Sequence, residues 1–137
     1  MLQEKYGRMK EREVRFDAVD TGDAELVVVA FGIAARIALS AVKKLRHEGL
    51  KVGLFRPISL FPFPEKELSA LAGNGREFLT IELNAGQMVE DVRLSVNGRS
   101  EVHFYGRPGG AIMTPEEVQE KIHSVLTPHY SASRSRS

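Results

Sequence analysis

The sequence predicts an α/β fold in which a mostly parallel sheet is covered by helices on both faces. Segments of strand character alternate with segments of helical periodicity four times, and one further strand precedes them. Residues 26–31 are apolar on both faces, as in a strand covered from two sides. The helix that follows has mostly small residues on its apolar face, so it can lie close to a sheet.

The composition is that of one globular domain with a core of its own, at 137 residues and 42% hydrophobic. A net charge of +1 gives no reason to expect nucleic acid or an anionic membrane as a partner. The chain has no cysteine, so it offers no disulfide, no thiolate zinc site and no cysteine-ligated iron–sulfur cluster. We expect a cytoplasmic protein without a membrane span.

The two ends of the chain differ from its centre. Residues 1–13 are charged and ungrouped, which predicts a flexible lead-in, and residues 129–137 are rich in serine and arginine, which predicts a disordered tail. The domain is therefore expected over 14–128. Residues 14–18 alternate between apolar and charged side chains, as in a short half-buried strand at the start of that domain.

The unit at residues 25–49 organises the chain. A strand over 26–31 ends at Gly32, and a helix over 33–48 ends at Gly49, which suits a left-handed cap with Leu50 folded back on the last turn. Basic residues crowd the last turn, where cations complement the helix dipole. One face of the helix carries its apolar residues: Ala34, Ile37, Ala38, Ala41, Val42 and Leu45.

The second unit pairs a strand over 51–56, stopped by Pro57, with a helix that has Pro64 at its first position. We expect Leu68, Leu71 and Ala72 to form the buried stripe of that helix.

The third and fourth units follow the same scheme. Strand 78–83 precedes Asn84, which we expect to cap the next helix in a capping box with Gln87. The apolar residues of that helix follow at helical spacing: Met88, Val89, Val92 and Val96. Strand 101–105 precedes the last helix, where Thr114 and Glu117 form a second capping box.

Few residues carry an obvious chemistry. The run that begins at Gly32 has one glycine, whereas the dinucleotide-binding motif G-x-G-x-x-G requires three. The histidines at 47, 103, 123 and 129 are scattered, so we expect no metal site, and we expect no catalytic residue and no cofactor-binding residue. Two stretches at the carboxyl ends of strands remain open between a structural and a binding role, residues 82–93 and residues 106–110.

Several stretches together resemble the carboxyl-terminal domain of the α subunit of 2-oxoacid:ferredoxin oxidoreductases, of the 2-oxoglutarate or branched-chain type, over about residues 14–127. They are Val28-Val29-Ala30-Phe31-Gly32 with Ala35-Arg36, Gly53-Leu54-Phe55-Arg56-Pro57-Ile58 with Phe61-Pro62-Phe63-Pro64, Glu82-Leu83-Asn84 with Gly86-Gln87-Met88, and Tyr105-Gly106-Arg107-Pro108-Gly109-Gly110.

The resemblance implies a three-layer α/β/α fold like the transketolase carboxyl-terminal domain, with five strands and the first antiparallel. It implies an enzyme that oxidatively decarboxylates a 2-oxoacid to an acyl-CoA, with ferredoxin as acceptor. Thiamine diphosphate, magnesium and iron–sulfur clusters are expected on other domains or subunits. The partners it implies are the pyrimidine-binding domain of the same subunit and the β subunit, with ferredoxin indirectly.

The sequence departs from a whole enzyme, because the Gly-Asp-Gly…Asn signature for diphosphate and magnesium is absent. We therefore expect a domain or fragment that is inactive alone and that acts in subunit assembly and in shaping the thiamine diphosphate site. Five polar residues are the candidates for interface or anion contacts: Arg56, Asn84, Gln87, Arg93 and Arg107.

Two other hypotheses stay open. The first is a free-standing α/β module that binds CoA or another phosphate-bearing ligand at Arg107 and the turn at 109–110. The second is a structural domain that dimerises through residues 58–63.

Overall fold

A computed structural model describes residues 15–58, 63–73, 75–83, 87–106 and 113–126, without the side chain of Gln87. The expected lead-in and tail lie outside these residues. Nine elements follow one another in the described part of the chain: β1 (Phe16–Val19), β2 (Leu26–Ala30), α1 (Ile33–His47), β3 (Val52–Pro57), α2 (Glu65–Ser69), β4 (Glu77–Glu82), α3 (Gln87–Val96), β5 (Val102–Gly106) and α4 (Pro115–Leu126).

The strands form one five-stranded sheet in the order β1-β3-β2-β4-β5. β1 pairs antiparallel with β3, and the other pairs are parallel. Both expectations for the sheet, its mostly parallel pairing and its antiparallel first strand, are confirmed. The strand order reverses direction between β2 and β4, so the sheet has its topological switch point there.

Two apolar cores lie on opposite faces of the sheet, which confirms the three-layer architecture. α1 and α4 cover one face and α2 and α3 cover the other. Successive residues of β2 point alternately into the two cores, and all five are fully buried. β2 is therefore apolar on both faces because helices cover it from both sides, as the sequence predicts.

The β2–α1 unit has the geometry that its sequence predicts. Gly49 has φ 97, its N–H bonds the Arg46 carbonyl at 3.0 Å, and the Leu50 N–H bonds the Leu45 carbonyl at 3.0 Å. These two bonds form a Schellman motif, in which the left-handed residue is almost always glycine. The predicted capping box forms at the start of α4. Thr114 Oγ1 accepts from the Glu117 N–H at 3.2 Å, and Glu117 Oε1 accepts from the Thr114 N–H at 3.1 Å.

Most boundaries differ from the prediction by one or two residues, and the differences at β3 and α2 have a clear physical reason. β3 includes Pro57 as its last residue, because a proline is tolerated where a strand ends. α2 is only five residues long, with Pro64 as its cap and Glu65 as its first residue. Leu71 and Ala72 continue it as turns, through bonds to the carbonyls three residues earlier, and they still pack into the core.

Arginines fasten the turn between β1 and β2, a role that the sequence did not predict. Arg46 donates to the Val52 carbonyl at 2.8 Å and to the Asp20 carbonyl at 2.7 Å, so it does more than complement the dipole of α1. Arg76 donates to three carbonyls, at 2.8 to 3.1 Å, which belong to Gly22, Ala24 and Leu71. The helices described in this structure include none with the length and apolar character that crossing a bilayer requires.

Candidate docking face at the carboxyl edge of the sheet

The carboxyl ends of the parallel strands meet at one edge of the sheet, where open α/β sheets place their ligands. β2 and β4 end side by side there, with Ala30 opposite Ile81. α1 and α3 start from the same edge on opposite faces of the sheet. β1 runs the other way, so its first residue, Phe16, joins this edge opposite Pro57.

Several large apolar side chains are exposed on the described surface of this edge. Four of the six large hydrophobic residues that are exposed in the described part of the chain lie here. We call them the apolar face: Phe16 at 36% exposed, Phe31 at 40%, Ile33 at 65% and Ile58 at 38%. A cluster of exposed apolar side chains at one edge is the usual mark of a surface that contacts another protein or domain.

Glu82 occupies the switch point and organises the start of α3. It is the last residue of β4 and is only 7% exposed. Its two carboxylate oxygens accept hydrogen bonds from the backbone N–H groups of Met88 at 2.9 Å and Val89 at 2.8 Å. A carboxylate at this position satisfies donors that the first turn leaves unpaired and complements the positive end of the helix dipole.

Sequence reasoning included Glu82 in the open stretch 82–93 but did not assign it the cap of α3, because it sought that cap next to the helix. The predicted cap, Asn84, lies outside the described residues, as does the side chain of its partner Gln87. The signal that could have identified Glu82 is a carboxylate at the end of a strand that is otherwise buried on both sides. A carboxylate can be buried there only if hydrogen-bond donors compensate for the loss of its hydration.

The candidate polar residues occupy different places. Arg56 lies at the carboxyl end of β3, and its guanidinium is 3.6 Å from the carboxylate of Asp17 on the neighbouring strand. Arg93 lies in the last turn of α3, about 9 Å along the helix axis from its first residue, and pairs with Glu90 at 3.5 Å. Arg107 and the turn at 109–110 lie outside the described residues.

Glu82 and Arg56, the described charged residues at the ends of β4 and β3, do not form a diphosphate site. A diphosphate with its magnesium ion requires converging donors and oxygen ligands that are not already engaged. Both oxygens of Glu82 bond α3, and Arg56 is paired with Asp17. The surface beside them is apolar, which suits packing against protein.

Two carboxyl groups elsewhere have shifted pKa values. The hydrogen bond from Arg46 lowers the pKa of Asp23 and raises that of the arginine. Burial raises the pKa of Asp91 on α3, and the nearby carboxylates of Glu65 and Glu90 add to the effect. Asp23 helps to hold the turn between β1 and β2 through Arg46, and both carboxyl groups lie outside the apolar face.

Comparison with known proteins identifies relatives over most of the chain. It is 47% identical, over 124 residues, to the ketoisovalerate oxidoreductase subunit VorB of Methanothermobacter thermautotrophicus, and the match covers 90% of this chain and 35% of that protein. It is 36% identical, over 102 residues, to the 2-oxoglutarate synthase subunit KorA of Methanothermobacter marburgensis, covering 74% of this chain and 27% of that protein. The chain thus spans about a third of the length of these curated relatives.

The fold has a counterpart among solved structures. A 2-oxoglutarate:ferredoxin oxidoreductase from Magnetococcus marinus, with 2-oxoglutarate, coenzyme A and succinyl-CoA bound, superposes with a TM-score of 0.64 at 21% identity. The match covers 85% of this chain and 20% of that one, and it supports the fold. Residues 24–118 match the family described as pyruvate:ferredoxin oxidoreductase core domain II. The chain therefore belongs to the core domain II family of the pyruvate:ferredoxin oxidoreductases.

Proposed function

We propose that the chain is a non-catalytic domain of the α subunit of a cytoplasmic 2-oxoacid:ferredoxin oxidoreductase. Such an enzyme decarboxylates a 2-oxoacid oxidatively, forms an acyl-CoA and passes the electrons to ferredoxin. The proposed role of this chain is to pack against the thiamine-binding domains and to shape their site from outside. Membership in the core domain II family supports this role, as do relatives that are named as subunits of 2-oxoacid oxidoreductases.

The proposed partners are the pyrimidine-binding domain of the same subunit and the β subunit, with ferredoxin reached only through them. Thiamine diphosphate, magnesium and the iron–sulfur clusters are assigned to those other parts. The absence of cysteine supports the assignment of the clusters, since a cysteine-ligated cluster has no ligand on this chain. The engaged state of Glu82 and Arg56 supports the assignment of the diphosphate.

The observation that carries the proposal is the apolar face at the carboxyl edge. Ile33 is 65% exposed at the first position of α1, so contact with a partner can bury most of its side chain. Complete burial of one such side chain contributes about 1.5–3 kcal/mol, which corresponds to about a tenfold or greater change in affinity. Truncating the Ile33 side chain, or replacing it with a charged one, should therefore lower the affinity for the partner strongly.

The test measures association of the purified chain with the co-purified remainder of an α subunit and its β subunit, by calorimetry. Ile33→Asp should weaken association at least tenfold, because it removes the apolar contact and places a charge in a dry interface. The same aspartate lies at the positive end of the α1 dipole, so the isolated variant should unfold at the wild-type temperature or slightly above it.

Leu94→Asp is the matched control. Leu94 is 70% exposed on α3, outside the apolar face, so its replacement should leave association unchanged. Wild-type affinity in the Ile33 variant would contradict the proposed docking face. An equal loss in both variants would mean that charge at any exposed position disturbs the complex, and it would contradict the assignment as well.

The alternative function, a free-standing module for CoA or another phosphate-bearing ligand, is separated by titrating the same chain with CoA, thiamine diphosphate and nucleotides. Saturable binding that is lost in Arg107→Ala would favour the module. No heat of binding, together with association to the other subunit parts, would favour the assembly role.

A further inference from the structure

Three side chains of types that can ligate a metal ion meet at the amino edge of the sheet, opposite the apolar face. Glu77 opens β4, Glu101 immediately precedes β5, and His103 is the second residue of β5. The parallel register places Phe78 beside Val102 and Leu79 beside His103, so the two glutamates stand side by side one residue earlier. The three side chains extend over the same face of the sheet.

The three donor atoms are already close together. His103 Nε2 lies 2.8 Å from Glu77 Oε1 and 4.0 Å from Glu101 Oε1, and the three donor atoms lie within 4.8 Å of one another. The side chains of His103 and Glu77 are half-buried, at 30% and 23% exposed, whereas Glu101 is 78% exposed. Two ligands are therefore held in place, and the third approaches from solvent.

The backbone beneath the cluster is fixed. The Phe78 N–H donates to the Glu101 carbonyl at 2.9 Å, and the Glu77 N–H donates to the Glu25 carbonyl at 2.9 Å. Phe78 and Leu79 of β4 are fully buried in the two cores, and Val102 of β5 packs against one of them, so the starts of both strands are anchored. Ligands carried on paired strands lose less freedom on binding an ion than ligands on a loop.

We propose that Glu77, Glu101 and His103 bind a divalent first-row transition metal ion, for which Zn²⁺ is the best match. One imidazole and two carboxylates form a mixed nitrogen and oxygen set, which zinc accepts readily, whereas Ca²⁺ and Mg²⁺ prefer oxygen ligands alone. The two carboxylates offset the charge of the ion. Three protein ligands leave the fourth tetrahedral position to water or to another small ligand.

Small movements complete the site. A tetrahedral zinc ion with bonds of about 2.0–2.2 Å holds its ligand atoms about 3.3 Å apart. His103 Nε2 and Glu77 must separate by about half an ångström, and Glu101 must close by somewhat more, which its exposed side chain can do. The metal takes the lone pair of Nε2, so the ring proton resides on Nδ1 in the bound form.

This inference revises the expectation that the chain has no metal site. That expectation rested on the spacing of histidines along the sequence, and the cluster instead draws one histidine and two glutamates from two strands that are separated by a helix. The inference is independent of the proposed docking face, which lies at the other edge of the sheet, so either can fail alone.

The test titrates the full 137-residue chain, free of any affinity tag, with Co²⁺ and then Zn²⁺ in a buffer that does not chelate metals. Co²⁺ should give the visible absorption of a low-symmetry site at one equivalent, and Zn²⁺ should displace it, whereas an excess of Mg²⁺ should not. His103→Gln and Glu101→Gln should each weaken Zn²⁺ binding at least tenfold.

His47→Gln is the matched control, because His47 is exposed at the end of α1, outside the cluster, and its loss should leave the affinity unchanged. Far-UV circular dichroism establishes that the His103 variant is folded, and the exposed Glu101 provides a second variant with little effect on folding. The absence of saturable binding would overturn the proposal. Equal Zn²⁺ affinity in the wild type and in both cluster variants would overturn it too.

Discussion

Replacing Glu82 with glutamine should destabilise the protein far more than replacing a surface glutamate. The carboxylate accepts two backbone hydrogen bonds, at 2.9 Å from Met88 and 2.8 Å from Val89, in a setting where Glu82 is 7% exposed. Glutamine keeps one acceptor oxygen, which can still bond one of the two backbone N–H groups. Its amide group faces the other backbone N–H, so two hydrogen-bond donors oppose each other and neither has an acceptor. A lost hydrogen bond to a charged group costs about 1.5–3 kcal/mol, and the lost charge at the helix start adds about 0.3–1 kcal/mol.

We therefore expect Glu82→Gln to lower the free energy of unfolding by about 2–4 kcal/mol. Urea denaturation at pH 7, followed by far-UV circular dichroism, measures this as a lower midpoint at unchanged slope. Glu90→Gln is the control in the same helix, since its pair with Arg93 at 3.5 Å is exposed and should contribute less than about 1 kcal/mol. A Glu82 variant as stable as the Glu90 variant would refute the assignment of Glu82 as the cap of α3.

Two further predictions concern packing and pH. An alanine Cβ at Gly53 would lie 2.5 Å from the carbonyl oxygen of Asp20, so Gly53→Ala should lower the free energy of unfolding by about 1–3 kcal/mol. Gly22→Ala is the control, because a Cβ there meets nothing within 4 Å and should leave the stability unchanged. Equal urea midpoints for the two variants would contradict this prediction. Burial raises the pKa of Asp91 from its ordinary 3.8, so the stability that its protonation contributes is lost as the pH rises. Asp91→Asn should then be more stable than wild type at pH 7, with a difference that narrows toward pH 3.8, in denaturation curves measured across that range; a difference that widens on acidification would contradict it.

The candidate site was only partly predictable. The sequence placed it at the carboxyl ends of the strands, and Arg56 lies there as expected. Arg93 lies at the far end of α3, since a helix that starts at this edge carries its later residues away from it. The contacts proposed for Arg56, Asn84, Gln87, Arg93 and Arg107 stay predictions.

The sequence by itself determined the elements whose signals are local. The Gly49 cap and the Thr114–Glu117 capping box each involve residues within one turn, so spacing alone specifies them. The burial of both faces of β2 follows from its uninterrupted apolar run.

Only the tertiary structure decided the contacts that join distant elements. Glu82 caps α3 from the end of β4, six residues before Met88, and not from a position next to the helix. Arg76 donates to carbonyls that are 52 and 54 residues away in sequence. The grouping of Glu77, Glu101 and His103 requires the register of β4 against β5. Strand order and register arise from the packing of whole elements, which local sequence patterns do not encode.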